Sequence, residues 1–297
     1  MHLKKKHIYK INMPELEMNV NFYLQNSYKI SMLITKEYST SFSSATSLLE
    51  KEKRLAVYAI YGFVRIADEI VDSFQGYDQS FLLSKLNEDL DYALKNGIST
   101  NTVLAAFADT VKRYDINVEY IKSFMKSMEK DLSKTEYNNL TDLESYIYGS
   151  ADVVGLMCLK VFCNGDNQLF EKLKQPAQKL GSAFQKVNFL RDLKDDINNL
   201  GRSYFPEISN QPFNKQTKQI IEQSIQKDFD EVWSGLKQLP GRSKLAVAIA
   251  IYYYKCLFDK IKRTSPEKVL KKRIRVPNFQ KFLIILQVVF MYKTKLI

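Results

Sequence analysis

Apolar residues recur at intervals of three and four along most of this 297-residue chain, and strand-like alternation of apolar and polar positions is rare. That period predicts helices over about 20–36, 47–73, 78–95, 101–112, 117–133, 141–163, 168–200, 214–238, 242–263 and 279–292. "NGIST" and "CNGDN" are turn-like breaks, "QPA" suits a helix start or a kink, and "GRSYFPEISNQP" reads as an irregular connection. With only 10 Gly and 7 Pro to interrupt it, the chain is expected to be all-α. No repeat, low-complexity tract or Gly/Ser linker marks a boundary, so residues 21–297 read as one helical domain behind a frayed extension, 1–20.

Polar positions break the pattern in two places. In "LAVYAIYGFVRIADEIVD", Tyr61, Arg65, Asp68 and Asp72 follow at steps of four, three and four, which sets them on one face of a helix. Leu55, Val57, Ile60, Phe63, Val64, Ile66, Ile70 and Val71 cover the other faces, so this row is expected to line an interior cleft, with Glu69 beside it. In "GSAFQKVNFLRDLKDDINNLGRSYF", Gln185, Asn188, Asp192 and Asp196 step by three, four and four, flanked by Arg191 and Asp195. Lys186 and Lys194 share the opposite side with Phe184, Val187, Leu190 and Leu193, so the orientation of this second helix stays open.

One such aspartate pair is commonplace on a solvated helix. Two matched rows, each with an arginine, suit a different task. Carboxylate and amide oxygens from one helical face hold a hard divalent cation, and Mg²⁺ typically takes one or two carboxylates plus substrate phosphates. Arg65 and Arg191 would then neutralise a departing diphosphate.

The net charge of +11 is concentrated: residues 242–297 carry 14 Lys and Arg against Asp259 and Glu267, whereas residues 1–240 carry 30 against 31 acids. A basic end of this kind suits phosphate-bearing partners, or is a solvated tail. No recognised nucleic-acid motif accompanies it, and nucleic acid is not an expected partner. Cys158, Cys163 and Cys256 lack zinc or redox spacing and read as reduced buried thiols in the cytosol. The only histidines, His2 and His7, sit in the N-terminal extension, which argues against a His-based triad or zinc site. The start lacks the apolar core of a signal peptide. "FLIILQVVFMY" is too short for a membrane span and reads as a core helix or a segment resting on a bilayer surface.

Taken in order, "YSTSF" (38–42), "YAIYGFVRIADEIVD" (58–72), "LESYIYGSADVVG" (143–155), "QKVNFLRDLKDD" (185–196), "GRSYFP" (201–206) and "KRIRVP" (272–277) resemble the squalene and phytoene synthases, over about residues 30–280. The resemblance implies an isoprenoid-synthase-type helical bundle with a central cavity. It implies Mg²⁺, with Mn²⁺ as a substitute, at Asp68, Asp72, Asn188, Asp192 and Asp196. Arg65 and Arg191 join the four aspartates as catalytic groups. Substrate contacts are implied at Tyr38, Ser39, Thr40, Ser41, Tyr61, Arg65, Gln185, Asn188 and Arg191, and less securely at Tyr148, Tyr254 and Arg273.

The implied activity is carotenoid-type head-to-head condensation of two geranylgeranyl diphosphates to phytoene, through a cyclopropylcarbinyl diphosphate and without reductant. The alternatives are a C30 squalene or dehydrosqualene synthase using farnesyl diphosphate, with NADPH required for squalene, and a non-catalytic helical assembly factor of the same superfamily. The small side chains of "SFSSAT" favour the longer C20 tails. Two departures stand out: Thr40 where many members carry a basic residue, and Asp152 where glycine is usual. The implied location is cytoplasmic, with peripheral contact at the inner face of the membrane.

Overall fold

The computed structural model describes residues 13–209 and 211–297, and helices form every long element among them. The first three are α1 (Met13–Tyr38), α2 (Thr40–Thr46) and α3 (Lys51–Asp72). There follow α4 (Gln79–Asn96), α5 (Thr102–Arg113), α6 (Val118–Asp131), α7 (Leu140–Ile147) and α8 (Val153–Cys163). The rest are α9 (Asn167–Asn199), α10 (Pro206–Ser209), α11 (Lys215–Leu236), α12 (Gly241–Lys262), α13 (Pro266–Val269) and α14 (Asn278–Lys293). The extended pairing found among the described residues is one bridge, Glu136 to Ser203.

Many helix starts are written in the sequence. Asp78, Asn101, Asn117, Asn139, Asp166 and Asn214 each precede a helix and accept a backbone N–H from its first turn. Such a cap is worth about 1 kcal/mol, because it satisfies donors that have no partner within the helix. The stretch expected to be one helix over 141–163 is instead α7 and α8 joined by a single wide turn of π-helix, Tyr148–Asp152. The first helix starts at Met13, within the stretch read as an extension, and residues 1–12 lie outside the described residues.

Two apolar clusters frame the interior. The larger packs α3, α5, α6, α8 and α12, with Phe63 stacked on Phe107 at 4.2 Å. The smaller packs α7, α9, α11 and the segment at Tyr204 and Phe205. α3 belongs to the first and α9 chiefly to the second, so their polar rows meet between the two clusters. Glycine allows α9 to come that close. A Cβ on Gly181 would lie 2.9 Å from the Ala151 carbonyl oxygen, so the α9 backbone rests directly on the π-turn.

Leu140–Cys163 is long and apolar enough to cross a membrane, yet 56% of its most apolar window is buried between neighbouring helices, as befits a core element.

Candidate active site

The α3 row faces inward as its spacing predicts. Tyr61 stacks on Phe42 at 4.9 Å, and burial pushes its hydroxyl up to about 12. One turn on, the Arg65 guanidinium lies 4.4 Å from the centre of the Tyr38 ring, donates to Asp68 Oδ2 at 2.7 Å and pairs with Glu69. Its Nε is buried with no hydrogen-bond partner among the described residues. Asp72, at the end of the helix, accepts from Arg202 at 2.5 Å.

The α9 row faces the same space. Asn188 Oδ1 accepts from the Tyr254 hydroxyl at 3.2 Å, and Tyr254 in turn stacks on Phe184 at 3.8 Å. Two guanidinium groups grip Asp192: Arg191 through Nε and Nη2 at 3.0 and 2.5 Å, and Arg273 through Nε and Nη2 at 2.7 and 3.3 Å. Of the two lysines that left the orientation of α9 open, Lys186 is accounted for on its far side. Lys186 donates to Asp228 of α11 at 2.7 Å, and Ser182 donates to the same carboxylate at 2.8 Å.

Arg202 ties the rows together. It is only 6% exposed, yet it lies in the irregular connection after α9. Its backbone N–H donates to the Asp196 carbonyl at 2.9 Å, while its side chain reaches Asp72, the Val71 carbonyl at 3.1 Å and the Asp131 carbonyl at 2.8 Å. One residue thus fixes the ends of both aspartate helices and the end of α6. The sequence reading missed it, although it lies in the "GRSYFP" run, because nothing in a loop's spacing tells which side chain turns inward.

Electrostatic crowding follows from this convergence. Burial and the neighbouring Asp72 raise the Asp68 carboxyl to about 6. Burial, Asp192 and Asp72 raise that of Asp196 to about 8. Asp196 has no arginine or lysine nitrogen within 4 Å among the described residues, unlike its three counterparts. Carboxylates forced together in this way seek positive charge. Their all-oxygen donor set fits a hard divalent cation, and no three acidic, histidine or cysteine groups among the described residues close on a single point. Such a cation would therefore take one or two carboxylates and complete its shell with phosphate oxygens.

Beside the aspartates lies an apolar cavity of about 300 Å³, lined by Phe42, Ala45, Tyr61, Val154, Phe184, Gln185 and Tyr254 among others. On the opposite flank Tyr137, Tyr146, Phe189 and Tyr204 form a stack of rings, closest between Phe189 and Tyr204 at 3.9 Å. The Tyr146 hydroxyl donates to Asp131 at 2.7 Å, and burial lifts that carboxyl to about 7.

Tyr148 is 38% exposed and lies near Tyr120, toward the start of α6, whereas Asp131 at the other end of α6 is the residue close to the aspartates. Two residues along a helix is more than half a turn, so Tyr146 faces inward and Tyr148 does not.

The α1–α2 turn closes the mouth. Ser39 caps α2 by accepting from Phe42 N at 3.3 Å and is within hydrogen-bond reach of Tyr61, and Ser41 is half-buried in the first turn of α2. Thr40 accepts from Lys281 Nζ at 2.8 Å, so an ammonium from α14 stands where Thr40 provides no charge of its own. Asp152, the other departure, has a buried Oδ1 without a partner among the described residues, and its carboxyl is raised to about 7 by burial and by Asp228.

The squalene/phytoene synthase family model matches residues 35–280, which takes in both aspartate rows, Arg202 and Arg273. The chain belongs to the squalene/phytoene synthase family. Relatives in that family include phytoene synthase 1 of Zea mays, 28% identical over 84% of this chain and 65% of the maize protein. The 4,4'-diapophytoene synthase of Staphylococcus haemolyticus is 26% identical over 87% of this chain and 94% of its own. This chain thus spans just under two thirds of the maize protein and nearly all of the staphylococcal one. Among solved structures, a dehydrosqualene synthase superposes with a TM-score of 0.77 at 21% identity, over 91% of this chain and 98% of that one. A squalene synthase from Alicyclobacillus acidocaldarius gives 0.70 at 21% identity, over 81% and 94%. These likenesses establish the fold of a prenyltransferase family with a helical bundle around a cavity.

Proposed function

We propose that this protein condenses two prenyl diphosphates head to head, with geranylgeranyl diphosphate as substrate and phytoene as product, as a step of carotenoid biosynthesis. The observation that carries the reading is the meeting of two aspartate rows and four arginines at the mouth of an apolar cavity. Asp68, Asp72, Asn188, Asp192 and Asp196 would hold Mg²⁺, which Mn²⁺ could replace. When bound, the cation neutralises phosphate oxygens and the crowded carboxylates together.

The chain's own groups do the rest. Arg65, Arg191 and Arg273 now grip carboxylates, and on binding they share that charge with the diphosphate and stabilise it as it leaves. Lys281 adds a further positive charge at the α1–α2 turn. The apolar cavity holds the prenyl tails and keeps water from the allylic cation that remains. Phe42, Tyr61, Phe184 and Tyr254 line that cavity and offer aromatic surface to the positive charge. Capture by the double bond of the second substrate, with loss of a proton as the three-membered ring closes, gives a cyclopropylcarbinyl diphosphate. A second ionisation, rearrangement and proton loss then give the triene, so NADPH is not required.

Ala45 and Thr46 of the small-residue run border the cavity, which supports the C20 substrate. The staphylococcal relative, matched over nearly its whole length, supports farnesyl diphosphate and a C30 product as the second reading. Incubation with Mg²⁺ and either C15 or C20 diphosphate, with and without NADPH, separates them by product. Phytoene from the C20 substrate without NADPH is expected. A C30 product alone would move the assignment to the second reading, and no condensation product from either substrate would contradict both.

A further inference from the structure

α14 carries two apolar faces, and the protein covers one of them. Ile284 and Val288 are buried against the bundle, the Tyr252 hydroxyl of α12 reaches Met291 Sδ at 3.6 Å, and Lys281 reaches back to Thr40. The opposite face holds Phe279, Phe282 and Phe290, 70%, 56% and 64% exposed, with Leu283 and Leu286 about half exposed. At 100° per residue these five fall within an arc of about 100°, a continuous stripe centred opposite the buried face. Scattered exposed apolar residues need no explanation, but five aligned on one helix do.

Charge decides what covers the stripe. The segment from Leu270 to Ile297 holds Lys271, Lys272, Arg273, Arg275, Lys281, Lys293 and Lys295 and no acidic residue. All of these but Lys281 are exposed, and they flank the stripe at both ends. A second copy docking face to face would bring two such segments together and meet like-charge repulsion. An anionic lipid surface meets both features at once, apolar side chains entering the acyl boundary and ammonium and guanidinium groups resting among the headgroups. The helix has 16 residues, which is too short to cross a bilayer and suits a helix lying flat in the interface.

We infer that the exposed face of α14 is a docking surface for an anionic bilayer, which seats the protein as a peripheral membrane protein. The position of the helix is consistent with a use for that contact. α14 packs on α12, which lends Ala246, Val247, Ala250 and Tyr254 to the cavity wall, and it touches α2, which lends Phe42, Ala45 and Thr46. The bilayer would thus lie one helix away from the apolar cavity. The inference stands on exposure and charge alone and does not depend on which reaction the cavity serves.

The test is flotation of the full chain with vesicles of phosphatidylcholine alone or mixed with one third phosphatidylglycerol. Binding to the mixed vesicles, weak binding to the neutral ones and loss of binding in high salt are expected. Phe282→Ser with Phe290→Ser should lower partitioning roughly tenfold or more. Lys271→Gln with Lys272→Gln should lower it by about tenfold, with the neutral-vesicle background unchanged. Because all four side chains are exposed, helicity and melting temperature should match the parent protein, which separates lost docking from lost folding. Absence of flotation with anionic vesicles, or variants that float like the parent, would overturn the inference. So would sedimentation showing a dimer that the phenylalanine variant dissolves while vesicle binding persists, since a second copy would then own the stripe.

Discussion

Asp72 and Asp196 each end a row, four residues beyond Asp68 and Asp192, but their surroundings differ. Asp72 is held by the buried Arg202 guanidinium, whereas Asp196 has no cationic nitrogen within 4 Å among the described residues and its carboxyl is raised to about 8. The α3 row is thus largely neutralised by the protein itself, and the α9 row leaves its last carboxylate short of positive charge. An incoming cation gains most at that end. Asymmetry of this kind lets the site stay folded without cation and still keep a carboxylate for one, because the arginine-held carboxylate, Asp72, and the carboxylate short of positive charge, Asp196, sit on different helices.

The sharpest way to break that picture is to remove carboxylates one row at a time. Asp68→Ala or Asp192→Ala should lower turnover by about three orders of magnitude, the scale of losing a group that stabilises developing charge, while far-ultraviolet circular dichroism stays unchanged. Near-normal turnover in either variant would refute its assignment as a ligand.

The protonation of Asp196 gives the next largest effect. Its carboxyl sits at about 8, above the ordinary 3.8, so the folded protein without cation favours the neutral acid. That contribution to stability is complete below about pH 4 and is lost as pH rises through 8. Cation binding requires the carboxylate, so Mg²⁺ affinity should rise by roughly tenfold per pH unit between 6 and 8 and then level off. Calorimetry at several pH values reads this directly, and Asp196→Asn should flatten the profile.

Arg202 tests the other row. Arg202→Ala removes the partner of Asp72 and frees two buried carbonyls. With Asp72 partly open to the cleft, the loss of stability should be about 3 kcal/mol, near the low end for breaking a buried pair. Arg202→Lys should recover only part of it, since a single ammonium cannot serve Asp72 and both carbonyls. A melting temperature unchanged in the alanine variant would show that the guanidinium does not join the rows.

The smallest effect belongs to the mouth. Lys281→Ala should raise KM for the prenyl diphosphate by about tenfold with little change in kcat, as expected for one charge-assisted hydrogen bond. Thr40→Arg in the same variant should restore it. A KM that does not move would leave Lys281 a mere anchor of α14.

The two rows differed in legibility as well. Tyr61, Arg65, Asp68 and Asp72 could be placed inward from spacing alone, because the other faces of α3 are apolar and leave the polar row nowhere else to go. α9 was ambiguous because Lys186 looks like a solvent-facing residue in sequence, while in the fold it is half-buried against Asp228. Tyr148 stands where the π-turn begins, and a regular helical period gives no sign of that turn. Arg202 and Lys281 could not be read at all. One lies in a loop, and the other meets Thr40 from 241 positions away, a contact that only tertiary packing creates. Helix existence, caps and the α3 face follow local rules, whereas the cationic half of the site is assembled from distant loops and helix ends.

The most direct test is Mg²⁺ titration in the presence and absence of an unreactive prenyl thiodiphosphate. The two-row arrangement predicts weak Mg²⁺ binding alone, binding at least tenfold tighter with the diphosphate analogue, and loss of that coupling when Asp68 or Asp192 is replaced by alanine. Equal Mg²⁺ affinity with and without the analogue, or coupling that survives in both variants, would contradict it.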